Sequence, residues 1–304
     1  MIPRLREARE ILEETLRAWR DDGAMQWGAA LAYYATLSIP PLVLILLLAL
    51  GRVHGDAAAR SALLGWSARV FGAEGFAVTR TVLENSPDDA AALGLGSGLV
   101  LLVVATGVFA QLQHAMNDIW GVEWPGGGVA TFLRARLLAF VVVVVMGAVL
   151  VVAMTASTLV TALLPYLRRF LPGARLFIVP GNLAFSFVVV ALLFAAFFRV
   201  LPDVRISWRD VWVGAAVSAL LFLAGNALLG LYLRHFRLGS AYGAAGSLLG
   251  LLVWFYYSAQ VYFFGAEFTQ VWARRRGGAI EPARGAVRIA DGSSGVSGDA
   301  SQRR

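Results

Sequence analysis

Six long stretches of this chain contain no Asp, Glu or Arg, and these gaps set the expected architecture. They run from Gly23 to Gly51, Ala90 to Asn117, Leu137 to Leu167, Leu176 to Phe198, Val211 to Leu233 and Leu238 to Ala266. A helix needs about 20 mostly apolar residues to cross the hydrocarbon core of a bilayer. Each window is long enough, which predicts spans at 28–50, 92–113, 139–163, 178–200, 211–233 and 246–268. None of them alternates apolar and polar residues, so a β-barrel is disfavoured. Helices also satisfy their own backbone groups, as lipid demands. The expected fold class is all-α: a polytopic membrane protein, a bundle of six transmembrane helices plus short interfacial helices.

Weaker patterns fill the remaining segments. Within residues 1–27, Leu5, Ala8, Leu12, Leu16 and Trp19 share one face of a predicted amphipathic helix over 3–22. That helix is expected at the cytoplasmic membrane surface or docked under the bundle. About 25 polar residues precede the first window, which is too long for a cleaved signal. After span one, Ala59, Leu63, Trp66 and Val70 recur at helical spacing, followed by Phe76 to Leu83. Two short interfacial helices are predicted there. The six spans form one membrane domain over 28–270. Beyond it, Gly, Ser, Ala and Arg dominate without aromatics, which predicts a disordered cytoplasmic tail over 271–304. Three spans per half would permit an inverted repeat, but the halves share no clear residue pattern.

Composition narrows the function classes. The chain has 304 residues, 59% hydrophobic and 15% charged, with a mean hydropathy of +0.69. Soluble domains average about 45–50% apolar and about 25% charged. Cysteine is absent, which excludes disulfides, thiolate metal sites and a cysteine nucleophile. Three histidines are too few and too scattered for an ordinary histidine metal site, so no metal and no cofactor is expected. The net charge is +7, and every basic residue is arginine. With both termini cytoplasmic, 17 of the 26 arginines fall on inner segments, which agrees with the positive-inside rule. The basic charge then reads as orientation and contact with anionic lipids at the cytoplasmic face. No separate basic domain suggests nucleic-acid binding, so no nucleic-acid partner is expected.

Polar residues inside the spans carry the candidate chemistry. Span one contains Ser38-Ile39-Pro40-Pro41. Two prolines remove two backbone donors, so the carbonyls of Thr36 and Leu37 lose their partners four residues on. In lipid those carbonyls need another donor or a water-lined cavity. The functional reading is a discontinuous helix beside a substrate or ion site. The competing reading is a packing kink satisfied by Ser38 and neighbouring helices. Tyr33, Tyr34 and Thr36 lie within two turns of the break and would line the same cavity. Span two ends with Gln111, Gln113, His114, Asn117 and Asp118. Gln111, His114 and Asp118 share one face, expected to point into the bundle or toward cytoplasmic water. His114 is either a proton shuttle or an ordinary interfacial histidine favoured by the helix dipole.

Span six carries Gln260 and Glu267, seven residues apart on one face. A carboxylate near a helix C-terminus opposes the dipole. A basic partner is therefore expected among Arg199, Arg205, Arg134 and Arg136. Glu267 reads as a proton- or cation-coupled carboxylate or as half of a structural ion pair. Asn226, alone in span five, reads as an interhelical hydrogen bond. Gly94, Gly96 and Gly98, like Gly239, Gly243, Gly246 and Gly250, offer close-packing faces for helices of this chain or of an oligomer. Gly126-Gly127-Gly128 lacks a phosphate-binding lysine and reads as a flexible turn.

Several of these residues recur in a recognisable order. The run from Ala29 to Pro41, Ala-Ala-Leu-Ala-Tyr-Tyr-Ala-Thr-Leu-Ser-Ile-Pro-Pro, is followed by Asn117-Asp118-Ile119-Trp120. Then come Arg199-Val200-Leu201-Pro202-Asp203 before Gly214-Ala215, Tyr242-Gly243-Ala244, Trp254 and Gly265-Ala266-Glu267. The pattern resembles the YihY/virulence factor BrkB family of bacterial inner-membrane proteins, over roughly residues 20–275. The resemblance implies a six-helix protein of the bacterial cytoplasmic membrane and implies no settled activity. Members have been labelled ribonuclease BN or associated with virulence and serum resistance. Adding the matched Arg199 and Asp203, the candidate solute or ion pathway comprises Tyr33, Tyr34, Thr36, Ser38, Pro40, Pro41, Gln111, His114, Asn117, Asp118, Arg199, Asp203, Gln260 and Glu267, with no catalytic residue.

Three functions compete at this level. A transporter or lipid-handling protein would move a small or amphipathic solute through a cavity between helices. An envelope scaffold would use the outer helices and small-residue faces to bind partners. A ribonuclease, the old family label, would need clustered carboxylates or histidines for metal ions, and the soluble segments offer none.

Overall fold

The computed structural model describes residues 2–86, 107–123, 141, 174–236, 244–278, 280–283 and 286–288. Among them the chain is overwhelmingly helical. Helix α1 spans Ile2–Asp21, α2 Ala24–His54, α3 Asp56–Glu84 and α4 Gly107–Ile119. After strand β1, Val122–Glu123, come α5, Ala174–Val200, and strand β2, Val204–Arg205. Helix α6 spans Trp208–Phe236 and α7 Ala244–Arg275, and strands β3, Glu281–Pro282, and β4, Val287–Arg288, follow.

Four helices carry stretches long and apolar enough to cross a membrane: Ala24–Arg52 of α2, Leu183–Val200 of α5, Trp208–Leu229 of α6 and Gly246–Arg275 of α7. Large apolar side chains such as Leu183, Val188, Leu220 and Leu228 point outward from α5 and α6, as lipid-facing residues do. Helix α4 forms the end of the second expected span. The rest of that span, 92–106, and the third, 139–163, lie outside the described residues apart from residue 141.

The buried residues form two clusters. One joins Ala24 and Leu31 of α2, Leu112 and Met116 of α4, Phe194 and Phe198 of α5, Ala215 of α6 and Phe263 and Ala266 of α7. The other joins Ile39, Val43 and Leu47 of α2, Ala59, Leu63 and Leu83 of α3 and Leu251 of α7. Helix α3 consists of two pieces that meet at Gly72, whose φ of 72° and ψ of −154° are non-helical. This matches the two-helix pattern of the sequence. Its Ala59–Leu63–Ser67 stripe is buried, and Phe71 packs edge-on against Trp66 and Trp254.

Small residues bring α6 and α7 into close contact. Gly214 faces the Thr269 side chain, and a β-carbon there would stand 3.3 Å from the Gly265 carbonyl oxygen. Gly265 in turn faces Ser218 and the Phe198 ring. Ser218 Oγ donates to the Gly214 carbonyl at 2.9 Å and Thr269 Oγ1 to the Gly265 carbonyl at 2.7 Å. Both hydroxyls are thus satisfied within their own helices, and the two helices interlock through small residues. Asn226 accepts a 2.9 Å hydrogen bond from Trp254 Nε1, the expected interhelical bond.

Three expectations need correction. Helix α2 runs unbroken through Pro40 and Pro41. Proline's fixed φ suits a helix. Nearby, Thr36 Oγ1 donates to the Ala32 carbonyl at 2.7 Å and Ser38 Oγ to the Tyr34 carbonyl at 2.8 Å, satisfying these hydroxyls locally. The discontinuous helix is therefore absent. Helix α1 docks on Ile11, Thr15 and Trp19, while Ala8, Leu12 and Leu16 are exposed. Ion pairs fix that face: Arg275 of α7 meets Glu10 at 3.1 Å and Glu14 at 2.8 Å.

The region expected to be disordered from 271 instead continues α7 to Arg275 and then adds β3 and β4. Strand β3 pairs antiparallel with β2, and β4 with β1. The Ala283 N–H also donates to the Asp203 carbonyl at 2.8 Å. These backbone pairings, with Ile280 against the core, hold a segment that lacks the apolar periodicity of a helix. Residues 289–304 lie outside the described residues.

Candidate functional site

Polar side chains gather where the N-terminus of α2 meets the C-terminal ends of α4, α5 and α7. Gly23 makes this possible. Its left-handed φ of 66° turns the chain sharply between α1 and α2. The turn carries Asp22 and Ala24 against α7, and Trp27 against α4. Trp27 Nε1 donates to Asp118 Oδ2 at 3.1 Å, and its ring meets the His114 ring edge-on at 5.5 Å. His114 and Asp118 are exposed beside Trp27. Gln111, on the same helix, is half-buried.

A second group is more enclosed. Asn117 Nδ2 donates to Asp203 Oδ2 at 2.9 Å, and the Asp203 N–H returns a 2.9 Å bond to Asn117 Oδ1. Gln113 Nε2 reaches the same carboxylate oxygen at 3.2 Å. Asp203 is 7% exposed, and this reciprocal pairing fastens the end of α4 to the loop between α5 and α6. The Arg199 guanidinium sits 5.8 Å from the centre of the Trp208 ring.

Glu267 is the unusual residue. It is 0% exposed, and among the described residues neither carboxylate oxygen has a hydrogen-bond partner. Gln260, two turns earlier on α7, also buries an unpartnered oxygen, while its Nε2 makes a long 3.4 Å bond to the Ala24 carbonyl. Gly28 leaves room for that side chain. Glu267 forms no ion pair with Arg199 or Arg205 among the described residues, and Arg134 and Arg136 lie outside them. The basic partner expected from the helix dipole is thus replaced by a second acid. Asp22 lies close enough to interact electrostatically with Glu267, and among the described residues the cation acting on the pair is Arg274, weakly. Among the described residues no hydrogen bond joins the two groups as carboxylates. Neither supplies a donor until one is protonated.

Asp22 itself reaches the surface, but partial burial of its carboxyl raises its pKa above the ordinary 3.8. The contact with Glu267 opposes that rise, Asp118 adds to it, Arg274 opposes it and Asp21 adds slightly. Among the described residues no three His, Asp or Glu side chains group as a metal site.

The sequence-derived pathway therefore divides. Gln260, Glu267, His114 and Asp118 lie at one end of α2. Pro40 is 16 residues along that helix from Ala24, roughly 24 Å at 1.5 Å per residue. Thr36, Ser38 and Pro41 are buried, whereas Tyr33 and Tyr34 are 57% and 44% exposed. The prolines stand on α2 between Ile39 and Val43 of the second hydrophobic cluster, while Glu267 neighbours residues of the first. Asp22 was missed by the sequence reading. It lies 245 positions from Glu267, beside a glycine, in a segment that reads locally as the end of an amphipathic helix.

The virulence factor BrkB family model matches residues 15–290. A UPF0761 membrane protein of Pseudomonas aeruginosa strain LESB58 is 27% identical over 262 residues, covering 84% of this chain and 62% of the relative. A UPF0761 membrane protein of Azotobacter vinelandii is 29% identical over 246 residues, covering 79% of this chain and 57% of the relative. One from Alteromonas mediterranea is 26% identical over 268 residues, with 86% and 87% coverage. The chain thus matches about three fifths of the length of the Pseudomonas relatives. These names indicate membrane proteins and no enzymatic activity. No solved structure matches the chain. A family match across nearly the whole helical bundle, with relatives that are themselves named membrane proteins, establishes that the chain belongs to the virulence factor BrkB family.

Proposed function

We propose that this chain is a six-span protein of the bacterial cytoplasmic membrane that transports a small or amphipathic solute, or handles lipid, without enzymatic chemistry. The observation that carries the reading is Glu267: a fully buried carboxylate with no hydrogen-bond partner among the described residues, inside a helix apolar enough to cross a membrane. Burying an unpaired charge is expensive, and ionisable groups within membrane segments mark solute and ion routes. The order of helix ends supports six spans. Helices α4, α5 and α7 end, and α2 and α6 begin, at the same end of the bundle. Glu123 lies at that end and α5 begins at Ala174 away from it, an order that suits the span expected at 139–163. The arginine distribution supports placing that end, and both termini, in the cytoplasm. Arginines around the exposed face of α1 suit anionic lipids.

The test is flux. Purified protein is placed in vesicles of phosphatidylethanolamine and phosphatidylglycerol, and redistribution of fluorescent phosphatidylglycerol and uptake of amphipathic dyes are measured. Protein-dependent flux reduced at least about tenfold by Glu267→Gln, an effect worth about 1.4 kcal/mol, supports the reading. Flux that matches empty vesicles for every probe leaves the envelope scaffold as the better account.

A further inference from the structure

We infer that Asp22 and Glu267 form a single proton-binding site: one proton shared between two carboxyl groups, exchanged with water through Asp22. The inference deepens the transport reading by naming the species that Glu267 carries, and its coupling to a solute rests on that reading.

The geometry of acceptors carries it. Glu267 offers two buried oxygens with no donor, and the adjacent group is another carboxyl. Two ionised carboxylates this close repel, and burial denies Glu267 the water that would soften the repulsion. One proton resolves both problems. The protonated carboxyl becomes a donor, its O–H bonds the partner carboxylate, and the pair carries one negative charge instead of two. Asp22 reaches the surface, so the proton can pass to water from Asp22 while Glu267 remains enclosed.

The surrounding charges do not supply a substitute. Asp21 adjoins the pair on α1, and Asp118 on α4 already accepts from Trp27, with His114 against the same indole. On α7, Arg274 attracts weakly and Arg275 is engaged by Glu10 and Glu14. Asp210 of α6 faces the end of α7 at Gly278. Asp21, Asp118 and Asp210 are acids, and Arg274, which bonds Gln270 at 3.4 Å, leaves Glu267 without a hydrogen bond among the described residues. Glu267 with Asp22 is therefore the site where a proton is held away from bulk water.

Infrared difference spectroscopy reads this without any solute. Protein in vesicles is titrated with pH, and the carboxylic acid C=O stretch is followed in wild type, Glu267→Gln and Asp22→Asn. Both variants are near-isosteric, and circular dichroism checks that helix content is retained. Wild type should show a carboxylic acid band that titrates in two coupled steps. Glu267→Gln should remove the buried component, and Asp22→Asn should leave a single step. A band that is absent at every pH, or unchanged in Glu267→Gln, overturns the shared proton. If the band behaves as stated but no probe moves across the membrane, the transport reading fails and the proton site stands. If flux occurs with no dependence on pH and no titrating band, the proton site fails and transport stands.

Discussion

At Asn117 and Asp203 two side chains do what a longer interface otherwise would. Each satisfies the other in both directions, and both hold the backbone where β3 joins the bundle. Asn117→Ala should remove the acceptor of the Asp203 N–H and one donor to its carboxylate, costing about 1–3 kcal/mol. A fall in the thermal midpoint of detergent-solubilised protein checks this, and unchanged stability would contradict the clamp. Asp22 gives a pH signature of its own. Its raised pKa means the folded protein binds the proton more tightly than the unfolded chain does. The associated stability is present below the ordinary 3.8 and is lost as pH rises through the higher folded value. Asp22→Asn should flatten that decline in thermal midpoint against pH. An unaltered slope would show that another group causes it.

Among the elements, α6 and α7 depend on what their facing residues lack. Gly214 and Gly265 each receive a hydroxyl-bearing side chain from the other helix. Gly265→Val should drive a methyl group toward Phe198 and Ser218, forcing the helices apart at a cost of about 1–3 kcal/mol. Lower thermal stability with retained helicity by circular dichroism would bear this out. Helix α1 docks through Ile11 and Thr15, which leaves its leucine stripe with the membrane-surface alternative and not the place under the bundle. Its leucine stripe at Leu12 and Leu16 is exposed, beside arginines including Arg9, Arg17 and Arg20. Exposed leucines flanked by positive charge suit an anionic bilayer surface. The isolated helix with Leu12→Gln and Leu16→Gln should bind phosphatidylglycerol vesicles at least about tenfold more weakly than the unaltered peptide, since two buried leucines are worth about 1.5–3 kcal/mol each. Equal binding would contradict that role for the face.

For the whole molecule, what the sequence revealed depended on the range of the physics involved. Exclusion of charge from lipid acts residue by residue, so the starts and ends of α2, α5 and α6 could be read within a few positions from the gaps alone, whereas α7 runs nine residues past its gap to Arg275. The family pattern was equally local, because its residues stand in fixed order along the chain. Asp22 with Glu267, Asn117 with Asp203, and β2 with β3 are pairings across distant segments, and no period in the sequence points to them. Pro40 and Pro41 misled for a related reason. Their missing donors are visible in sequence, but a helix that continues past them is settled by its surroundings. The absence of cysteine now becomes useful, because any introduced thiol is unique.

The most direct test of the account is therefore thiol accessibility along α7. Gln260→Cys and Glu267→Cys are compared with Leu248→Cys and Leu252→Cys on its exposed apolar face. Protein in vesicles is treated with a membrane-impermeant maleimide. Glu267 is enclosed at rest and Gln260 partly so, so a transport route requires slow labelling at 260 and 267 as it opens toward the end that carries α1, with no labelling at 248 and 252. Silence at 260 and 267 under every condition, or reaction at 248 and 252 instead, would contradict a water-reachable route along this helix.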